Sequence, residues 1–251
     1  MKYVTFNIRY DCGEDGINNF EHRKPLILKA IEDEQPDVIG FQEVLPHVVA
    51  WLKRALADYT VVGCGRSPEL DGEQVSVAFR RDRFNLVELR TFWLSETPFV
   101  PGSRYANQSD CPRVAAEALL CELATGRVFR VLNTHLDHIG SAARRLGLEQ
   151  LLRHIDAARL FPDAPVILAG DFNAPPDSEE MRVFAEFPGY ANATEGIGTT
   201  YHGYMNDTPE CIDYIWLRGG MACRSARKWT RVENGVFLSD HYPICAELEW
   251  R

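Results

Sequence analysis

The feature that most constrains the fold of this chain is a series of short apolar runs that each end in polar residues. Their length and apolar character make these runs typical of strands. They occupy residues 3–8, 38–41, 75–79, 128–132, 166–169, 212–217 and 244–248. Apolar residues at helical spacing lie between some of them, at 26–31, 48–56 and 148–155. Strands interspersed with helices predict a layered α/β fold.

Two longer stretches separate the strand-like runs. Residues 91–112 are rich in Pro, Ser and Asn, and residues 191–209 form a second such stretch. We interpret both as long surface loops, which on a rigid sheet often carry substrate contacts. No linker or low-complexity segment divides the sequence, so we expect residues 1–251 to form a single domain.

The composition excludes several classes of protein. A hydrophobic content of 45% allows a large core, but no apolar run reaches the ~18 residues of a membrane span. The first residues, M-K-Y-V-T-F-N-I-R-Y, lack an apolar signal core and a small-residue cleavage site, so we expect no secretory signal. Seven cysteines occur without a C-x-x-C pair, which favours reduced thiols over disulfides or a cysteine zinc site. We therefore expect a cytoplasmic protein.

Carboxylate, imidazole and carboxamide groups stand at or just past the ends of most of the predicted strands. They are Asn7, Glu43, His135, Asp137, Asp171, Asn173, Asp213, Asp240 and His241. Each alone is ordinary, since an Asp after a strand usually caps a turn and a lone His is usually structural. Their joint occurrence is harder to explain by packing. Because carboxylates and carboxamides are hard oxygen ligands, the set favours Mg²⁺ or Mn²⁺ over Zn²⁺.

Six short motifs carry these residues. They are T-F-N-I-R (5–9), G-F-Q-E (40–43), N-T-H-L-D-H (133–138), G-D-F-N (170–173), I-D-Y-I (212–215) and S-D-H-Y-P (239–243). In this order, and over nearly the whole chain, they resemble the DNase I-like endonuclease/exonuclease/phosphatase superfamily. The resemblance implies a four-layer α/β sandwich, in which two mixed β-sheets lie face to face and are flanked by helices. It also implies hydrolysis of a P–O bond by in-line attack of water. Together with F-W-L-S-E-T-P (92–98), the motifs look like a compact bacterial branch.

The resemblance assigns roles to matching positions. Glu43 is implied to be the central Mg²⁺ ligand, with Asn7 and Asp240 beside the metal. Asp171 is implied to orient or deprotonate the attacking water. Asn173 is implied to hold a phosphoryl oxygen, an interaction worth a few kcal/mol in the transition state. A turn built from Asp and Asn is the alternative explanation for the last two residues.

Two histidines complete the implied catalytic set. His135 and His241 are expected to approach the phosphate from two sides, where protonated imidazoles would stabilise its charge and one would serve as general acid. Each needs a carboxylate partner to hold its proton. The resemblance implies that one histidine pairs with a Glu seven residues before a strand-ending Arg, and Glu73 stands at that spacing from Arg80, so it is the expected partner of His135. A polar turn residue is the alternative explanation for Glu73. Asp213 is the expected partner of His241.

Further residues are candidates for substrate binding. Arg113 follows Cys111-Pro112, and the resemblance implies that its guanidinium binds phosphate, whose geometry it matches. The other candidates for the substrate pocket are Asp137, His138, Arg144, Tyr201 and His202. A loop cap remains open for Asp137, and a position covering a helix face remains open for Arg144.

The motifs do not fix the substrate. A formal net charge of -9 opposes binding of a polyanion, so a small phosphate ester is the favoured substrate. The resemblance to the compact bacterial branch implies a sugar phosphate as an example. A nuclease or deadenylase-like phosphodiesterase is the alternative, because basic residues interleave with Trp229 at 224–231. A solvated edge strand is the commoner explanation of such a stretch. A non-catalytic binding protein on the same fold is a remote alternative, and the oligomeric state stays open.

Overall fold

The computed structural model describes residues 1–205 and 208–251. Its strands are β1 (Lys2–Asn7), β2 (Val38–Val44), β3 (Tyr59–Val62), β4 (Gln74–Arg80), β5 (Phe84–Trp93), β6 (Val114–Glu122), β7 (Val128–His135), β8 (Val166–Asp171), β9 (Tyr190–Asn192), β10 (Asp213–Arg218), β11 (Met221–Lys228), β12 (Val232–Glu233), β13 (Val236–Phe237) and β14 (Ile244–Trp250). Its α-helices are α1 (Phe20–Glu34), α2 (Pro46–Ala55), α3 (Ser141–Asp156) and α4 (Val183–Glu186). Short 3₁₀ turns lie at Gly16–Asn18, Glu180–Arg182 and Gly203–Met205.

The longer strands form two mixed sheets of six strands each. The first sheet has the order β11-β14-β1-β2-β4-β3, and the second has the order β5-β6-β7-β8-β10-β9. One parallel pair lies at the centre of each sheet, β1–β2 in the first and β7–β8 in the second. Their neighbours β14, β4, β6 and β10 run antiparallel to them. The predicted pair of mixed sheets is confirmed.

Three apolar layers hold the sheets and helices together, because successive residues of a strand face opposite sides of its sheet. Between the sheets, Val77 of the first belongs to the same buried cluster as Val131 of the second. On the outer face of the first sheet, Phe6 packs in a cluster with residues of α1 and α2. On the outer face of the second, Leu168 does so with residues of α3 and α4. The order helix, sheet, sheet, helix confirms the predicted four-layer sandwich.

A buried polar clamp joins the two sheets near their centre. Asn133 of β7 donates from Nδ2 to the backbone oxygens of Phe41 at 2.8 Å and Ser76 at 2.9 Å, both in the first sheet. Its Oδ1 accepts from Gln42 Nε2 at 2.6 Å, and Gln42 also donates to Thr5 Oγ1 at 3.1 Å. Since a buried polar group left unpaired costs about 1–3 kcal/mol, these bonds favour one alignment of the sheets. The clamp thereby fixes the relative positions of the strand ends.

Strand direction brings the polar strand ends to one edge of the sandwich. The four central parallel strands end at this edge, and their antiparallel neighbours begin there. Asn7 and Glu43 lie at the ends of β1 and β2, His135 and Asp171 end β7 and β8, and Asp213 begins β10. Side chains that are far apart in the sequence therefore converge at one site.

Most predicted elements are confirmed, and the exceptions lie in edge strands and loops. The three predicted helical segments fall within or next to α1, α2 and α3. The loop prediction for 91–112 is wrong at 91–93, which belong to β5, an edge strand with many exposed side chains. In the predicted loop 191–209, residues 191 and 192 belong to β9, and positions 206 and 207 lie outside the described residues. The described ranges contain no helix that is both long and apolar enough to cross a membrane.

Candidate active site

Glu43 and Asn7 form one side of the site, at the ends of two neighbouring parallel strands. Asn7 Nδ2 donates to Glu43 Oε1 at 3.0 Å, and the backbone N–H of Tyr10 donates to Glu43 Oε2 at 2.8 Å. The Oδ1 atom of Asn7 accepts from the backbone N–H of Arg9 at 3.0 Å. Asn7 therefore lies beside Glu43, as predicted, but it presents its amide hydrogens rather than its oxygen. Its role in this geometry is to orient the carboxylate.

Three site residues adopt left-handed backbone conformations that non-glycine residues rarely use. The φ angles are 58° at Arg9, 63° at Glu43 and 49° at Asn173. Each such residue costs of order 1–3 kcal/mol, and the surrounding structure must compensate for it. Such strain clusters at functional sites. The three positions lie at the same edge of the sandwich, whereas six other non-glycine residues with positive φ lie elsewhere in the described part of the chain.

Asp171 lies at the centre of the site and is 1% exposed. Its Oδ2 accepts from Asn7 Nδ2 at 2.9 Å and lies 3.5 Å from His135 Nε2 and 3.7 Å from His241 Nε2. Its Oδ1 accepts from the backbone N–H of Asn173 at 2.9 Å. Burial, reinforced by the nearby charge of Asp213, raises the pKa of Asp171 to about 7. A carboxyl with this pKa is suited to exchange protons near neutral pH.

His241 has the carboxylate partner that was predicted for it. Its Nδ1 and Asp213 Oδ2 are 2.8 Å apart, and both side chains are buried. Burial alone would lower the pKa of the imidazole, but the charge and hydrogen bond of Asp213 outweigh it and raise the pKa to about 10. His241 is therefore protonated at neutral pH, with Nε2 directed towards Asp171.

The predicted pairing of His135 with Glu73 is wrong as a hydrogen bond. Glu73 Oε1 instead accepts from Arg66 Nη2 at 2.6 Å, although a Glu73 carboxylate oxygen, a Glu43 oxygen and a His135 nitrogen lie within 4.8 Å of one another. Burial, followed by the charge of Arg113, lowers the pKa of His135 well below its ordinary value. The expectation that His135 holds its proton better than a free imidazole is therefore also wrong. The reason is that the imidazole is buried, with the charges of Arg113 and Arg66 adding to this effect, while Glu73 is engaged with Arg66.

Asp240 lies near Glu43 at the start of the segment that leads into β14. Its Oδ1 accepts from Ser239 Oγ at 3.0 Å, and its Oδ2 lies 3.6 Å from Arg9 Nε. Burial raises the pKa of Asp240, and Glu43 adds to this effect against the opposing charge of His241. Arg9 also forms an ion pair with Asp15 at 3.1 Å, which divides its charge between two acids.

Arg113 occupies the opposite wall, and its side chain is 5% exposed. Its Nη2 lies 2.8 Å from His138 Nδ1, whereas its Nε and Nη1 have no hydrogen-bond partner among the residues that the structure describes. Asp137, predicted as a pocket residue, is instead buried behind Arg113, with Oδ1 3.7 Å from Arg113 Nε. Hydrogen bonds from Ser109 and the backbone of Gly140 hold the pKa of Asp137 below its ordinary value, although burial opposes them. Asp137 Oδ2 also accepts from the backbone N–H groups of Ile139 and Gly140, which is the loop cap that the sequence analysis left open for this residue.

Two other predicted substrate residues do not face the site. Arg144 Nε donates to Glu180 Oε1 at 2.5 Å and Nη1 donates to the backbone oxygen of Asp137 at 3.0 Å, so Arg144 ties α3 to the adjacent 3₁₀ turn. His202 is buried, and its ring centroid lies 4.2 Å from that of Tyr242, with the two rings tilted by 35°. The loop that carries His202 does border the cavity, but the His202 side chain points into a cluster of aromatic rings. Tyr201, by contrast, lines the cavity, and its ring centroid lies 5.0 Å from that of His241.

A cavity of about 480 Å³ opens at this edge. Its lining includes most of the predicted set, namely Glu43, Glu73, Arg113, His135, His138, Asp171, Asn173, Tyr201, Asp240 and His241. Residues that the sequence analysis did not select also line it, namely Arg9, Tyr10, Arg66, Cys111, Glu210 and Ile212. Arg9 lies inside the T-F-N-I-R motif, so proximity to Asn7 was the available signal. Arg66 follows Gly65 in a loop and carried no motif signal.

The residues present fit a divalent cation. The charge of Glu43 raises the pKa of Asp240, so the two carboxylates lie near each other, and a Glu73 oxygen and a His135 nitrogen lie within 4.8 Å of a Glu43 oxygen. Oxygen-rich sets of this kind suit Mg²⁺ or Mn²⁺. A second group of possible ligands consists of Asp171, Asp213 and His241, since one ligand atom of each lies within 4.8 Å of the others. In that group Asp213 keeps the imidazole of His241 protonated, and a protonated imidazole cannot bind a metal ion. These residues are therefore better suited to proton transfer.

Residues 4–241 match the sequence model of the Endonuclease/Exonuclease/phosphatase family. An uncharacterised protein of Acanthamoeba polyphaga mimivirus is 28% identical over 191 residues, which cover 69% of this chain and 67% of that protein. Nocturnin of Xenopus laevis is 33% identical over 208 residues, which cover 74% of this chain and 50% of nocturnin. The chain thus spans about half the length of that relative.

Solved structures from two bacteria match along the whole chain. An endonuclease/exonuclease/phosphatase protein of Bacteroides vulgatus has a TM-score of 0.93 and 31% identity, and the match covers 100% of this chain and 98% of the other. A protein of Bacteroides thetaiotaomicron described as a mannosyl-6-phosphatase has a TM-score of 0.88 and 26% identity, with 100% of both chains covered. Both structures share the four-layer sandwich of this chain over its whole length.

Proposed function

The chain belongs to the endonuclease/exonuclease/phosphatase family, and on that premise we propose that it is a Mg²⁺- or Mn²⁺-dependent phosphatase of a small phosphorylated metabolite, such as a sugar phosphate. One observation carries the proposal. Asp171 is buried between His135 and His241 on the floor of a cavity whose wall holds Arg113. A proton acceptor, two imidazoles and a cation around one point are the groups needed for attack of water on phosphorus.

The protonation states of Asp171 and His241 suit this reaction. Asp171, with a pKa of about 7, accepts the proton of the attacking water as the new O–P bond forms. When the ester P–O bond breaks, the leaving alkoxide takes a proton from protonated His241. Asp171 then returns a proton to His241, since their nearest atoms lie 3.7 Å apart. Asp213 keeps the His241 ring oriented before and after it gives up its proton.

Other groups in the proposal stabilise charge on the phosphoryl oxygens. Arg113 contributes a buried guanidinium, and preorganised donors of this kind act strongly in a site that excludes water. Asn173 lines the cavity, although one of its amide hydrogens is already donated to the backbone oxygen of Leu136 at 3.0 Å. Glu43 and Asp240 would hold the cation, which supplies Lewis-acid stabilisation of the phosphoryl charge.

Size and surface charge support a small substrate. A cavity of about 480 Å³ falls within the range of small-molecule sites. The basic stretch 224–231 lies mostly in the edge strand β11, and its arginines pair with acids: Arg224 with Glu249, Arg227 with Glu34 and Arg231 with Asp33. The described activity of the Bacteroides thetaiotaomicron neighbour makes a sugar phosphate the first choice. All seven cysteines are free thiols, which supports a reducing compartment such as the cytoplasm.

The test of the reaction class is phosphate release by the wild-type protein and Asp171→Asn, each with Mg²⁺ and with EDTA. We expect the variant to lose roughly 10²- to 10⁴-fold in rate, the usual contribution of a general base. Asp177→Asn, a change of the same kind at an exposed position in the following loop, serves as the matched control. Near-normal turnover by Asp171→Asn, or full wild-type activity in EDTA, would contradict the proposal.

A further inference from the structure

The active-site cavity extends into a narrow recess of about 10 Å³, room for about one water molecule. Glu43 and His135 lie on its lining together with Arg66, Glu73 and Arg113, and all five residues also line the main cavity. Apolar residues of β4 and β6 and a proline close the recess. This closed end of the site carries two guanidinium groups directly beside the groups proposed to act on phosphorus.

Arg113 is incompletely satisfied at this recess. Its side chain is 5% exposed, and within residues 1–205 and 208–251 neither Nε nor Nη1 has a hydrogen-bond partner. Asp137 Oδ1, the nearest acid oxygen, is 3.7 Å from Nε, which is beyond hydrogen-bonding distance. A buried guanidinium with free donors is costly unless an anion satisfies it. Both nitrogens are buried, and Nε lies on the side of Asp137. Because the guanidinium also lines the recess, an anion bound there would supply the countercharge that its hydrogen bonds do not.

Arg66 is held rigidly beside Arg113. Its backbone oxygen accepts from Trp93 Nε1 at 2.7 Å, and its backbone N–H donates to the backbone oxygen of Glu73 at 3.0 Å. Its Nη2 donates to Glu73 Oε1 at 2.6 Å. The like charge of Arg66 contributes to lowering the pKa of Arg113, after burial as the main cause. The fold thus maintains two adjacent cations, and a bound dianion would relieve the repulsion between them.

We propose that Arg66 and Arg113 together form the binding site for a terminal phosphate dianion, so that the substrates are phosphate monoesters and Arg66 determines this specificity. The inference rests on the proposed function and names its substrate class. A terminal phosphate offers three non-bridging oxygens and up to two charges to these donors, whereas a diester offers two oxygens and one charge. In a diester, the second ester group would also have to occupy the closed recess.

The reaction assigned to this site is R–O–PO₃²⁻ + H₂O → R–OH + HPO₄²⁻. The water oxygen bonds to phosphorus, the ester P–O bond breaks, and the alcohol leaves with one proton. Inorganic phosphate, the product, retains the oxygens that face Arg66 and Arg113. It should therefore bind to the same site and inhibit the enzyme competitively.

The test compares Arg66→Gln and Arg66→Lys with the wild-type protein. Arg145→Gln is the control, at a half-buried position of α3 whose side chain pairs with Glu149 and Glu186. Isothermal titration with inorganic phosphate in the presence of Mg²⁺ measures binding without turnover. Rates on a hexose monophosphate and on its methyl diester measure specificity. Loss of a charge-assisted contact should weaken phosphate binding of Arg66→Gln roughly tenfold or more. Arg66→Lys, which keeps the charge but not the planar fork, should lie between.

The inference requires that the wild-type protein hydrolyse the monoester much faster than the methyl diester, and that Arg66→Gln narrow this ratio by lowering kcat/KM for the monoester. It is overturned if the variant binds phosphate as the wild type does, or if both rates fall equally, as a general structural defect would cause. A melting temperature equal to that of Arg145→Gln checks folding. Failure of the wild-type protein to hydrolyse any phosphate ester would instead contradict the proposed function, and the phosphate titration would still test the site.

Discussion

Replacing Asp213 with Asn removes the charge that keeps His241 protonated while preserving the shape of the side chain. Burial of the imidazole then lacks its main compensation, so the pKa of His241 falls from about 10 towards or below its ordinary value of 6.5. A buried charge-assisted hydrogen bond such as this one, 2.8 Å long, contributes about 1.5–3 kcal/mol. Since each 1.36 kcal/mol is tenfold in rate, kcat/KM should fall by roughly 10- to 150-fold.

The pH dependence gives a sharper readout than the rate at one pH. A histidine whose pKa is raised on folding contributes stability that is fully present below about 6.5 and is lost as pH rises through about 10. Asp213→Asn should therefore lose stability chiefly below pH 10, and its alkaline limb of activity should move to lower pH. The measurements are pH–rate profiles and urea unfolding at several pH values, with Asp156→Asn, a partly exposed acid paired with Arg218, as control. A variant whose profile and stability match the wild type would refute this role of Asp213.

Three further perturbations test the fold and the cation site. Asn133→Leu leaves Gln42 without its partner in the inter-sheet clamp, so urea unfolding should show a loss of about 2–4 kcal/mol, and a loss below 1 kcal/mol would remove the clamp from the account. Gly170→Ala places a Cβ 1.9 Å from the backbone oxygen of Thr134, so expression and circular dichroism should reveal a poorly folded protein, whereas a normal melting curve would contradict the backbone geometry. Glu43→Gln should weaken Mg²⁺ binding by calorimetry and abolish most activity, and unchanged Mg²⁺ affinity would place the cation elsewhere.

The sequence allowed the central architecture to be predicted because its signals are local. Buried central strands are short apolar runs, and the residues at their ends, such as Glu43 and Asp171, are named by the motifs. Edge strands gave weaker signals. β5 has exposed side chains on both faces and a register shift between Leu86 and Glu88, so its pattern resembles that of a loop. The basic stretch 224–231 has an edge-strand pattern, and β11 confirms that interpretation.

The site residues that sequence reasoning misplaced depend on side-chain direction. Glu73 reached the cavity as expected, but Arg66 supplied a nearer partner than His135, and sequence spacing does not determine which partner wins. Asp137 and His202 lie next to residues that face the site, yet their side chains turn behind the wall or into an aromatic cluster. Such choices are set by packing between elements that are distant in the sequence.

The central claim, hydrolysis of a small phosphorylated metabolite, is tested most directly by kcat/KM for a hexose monophosphate and for single-stranded RNA and duplex DNA, each at two salt concentrations. For a site that binds one phosphate, kcat/KM should change little with salt concentration. A nuclease neutralises many phosphates and releases their counterions, so its affinity falls steeply as the salt concentration rises. We predict a higher kcat/KM for the hexose monophosphate, changing little with salt. A strong preference for polynucleotide that collapses at the higher salt concentration would contradict the proposed substrate.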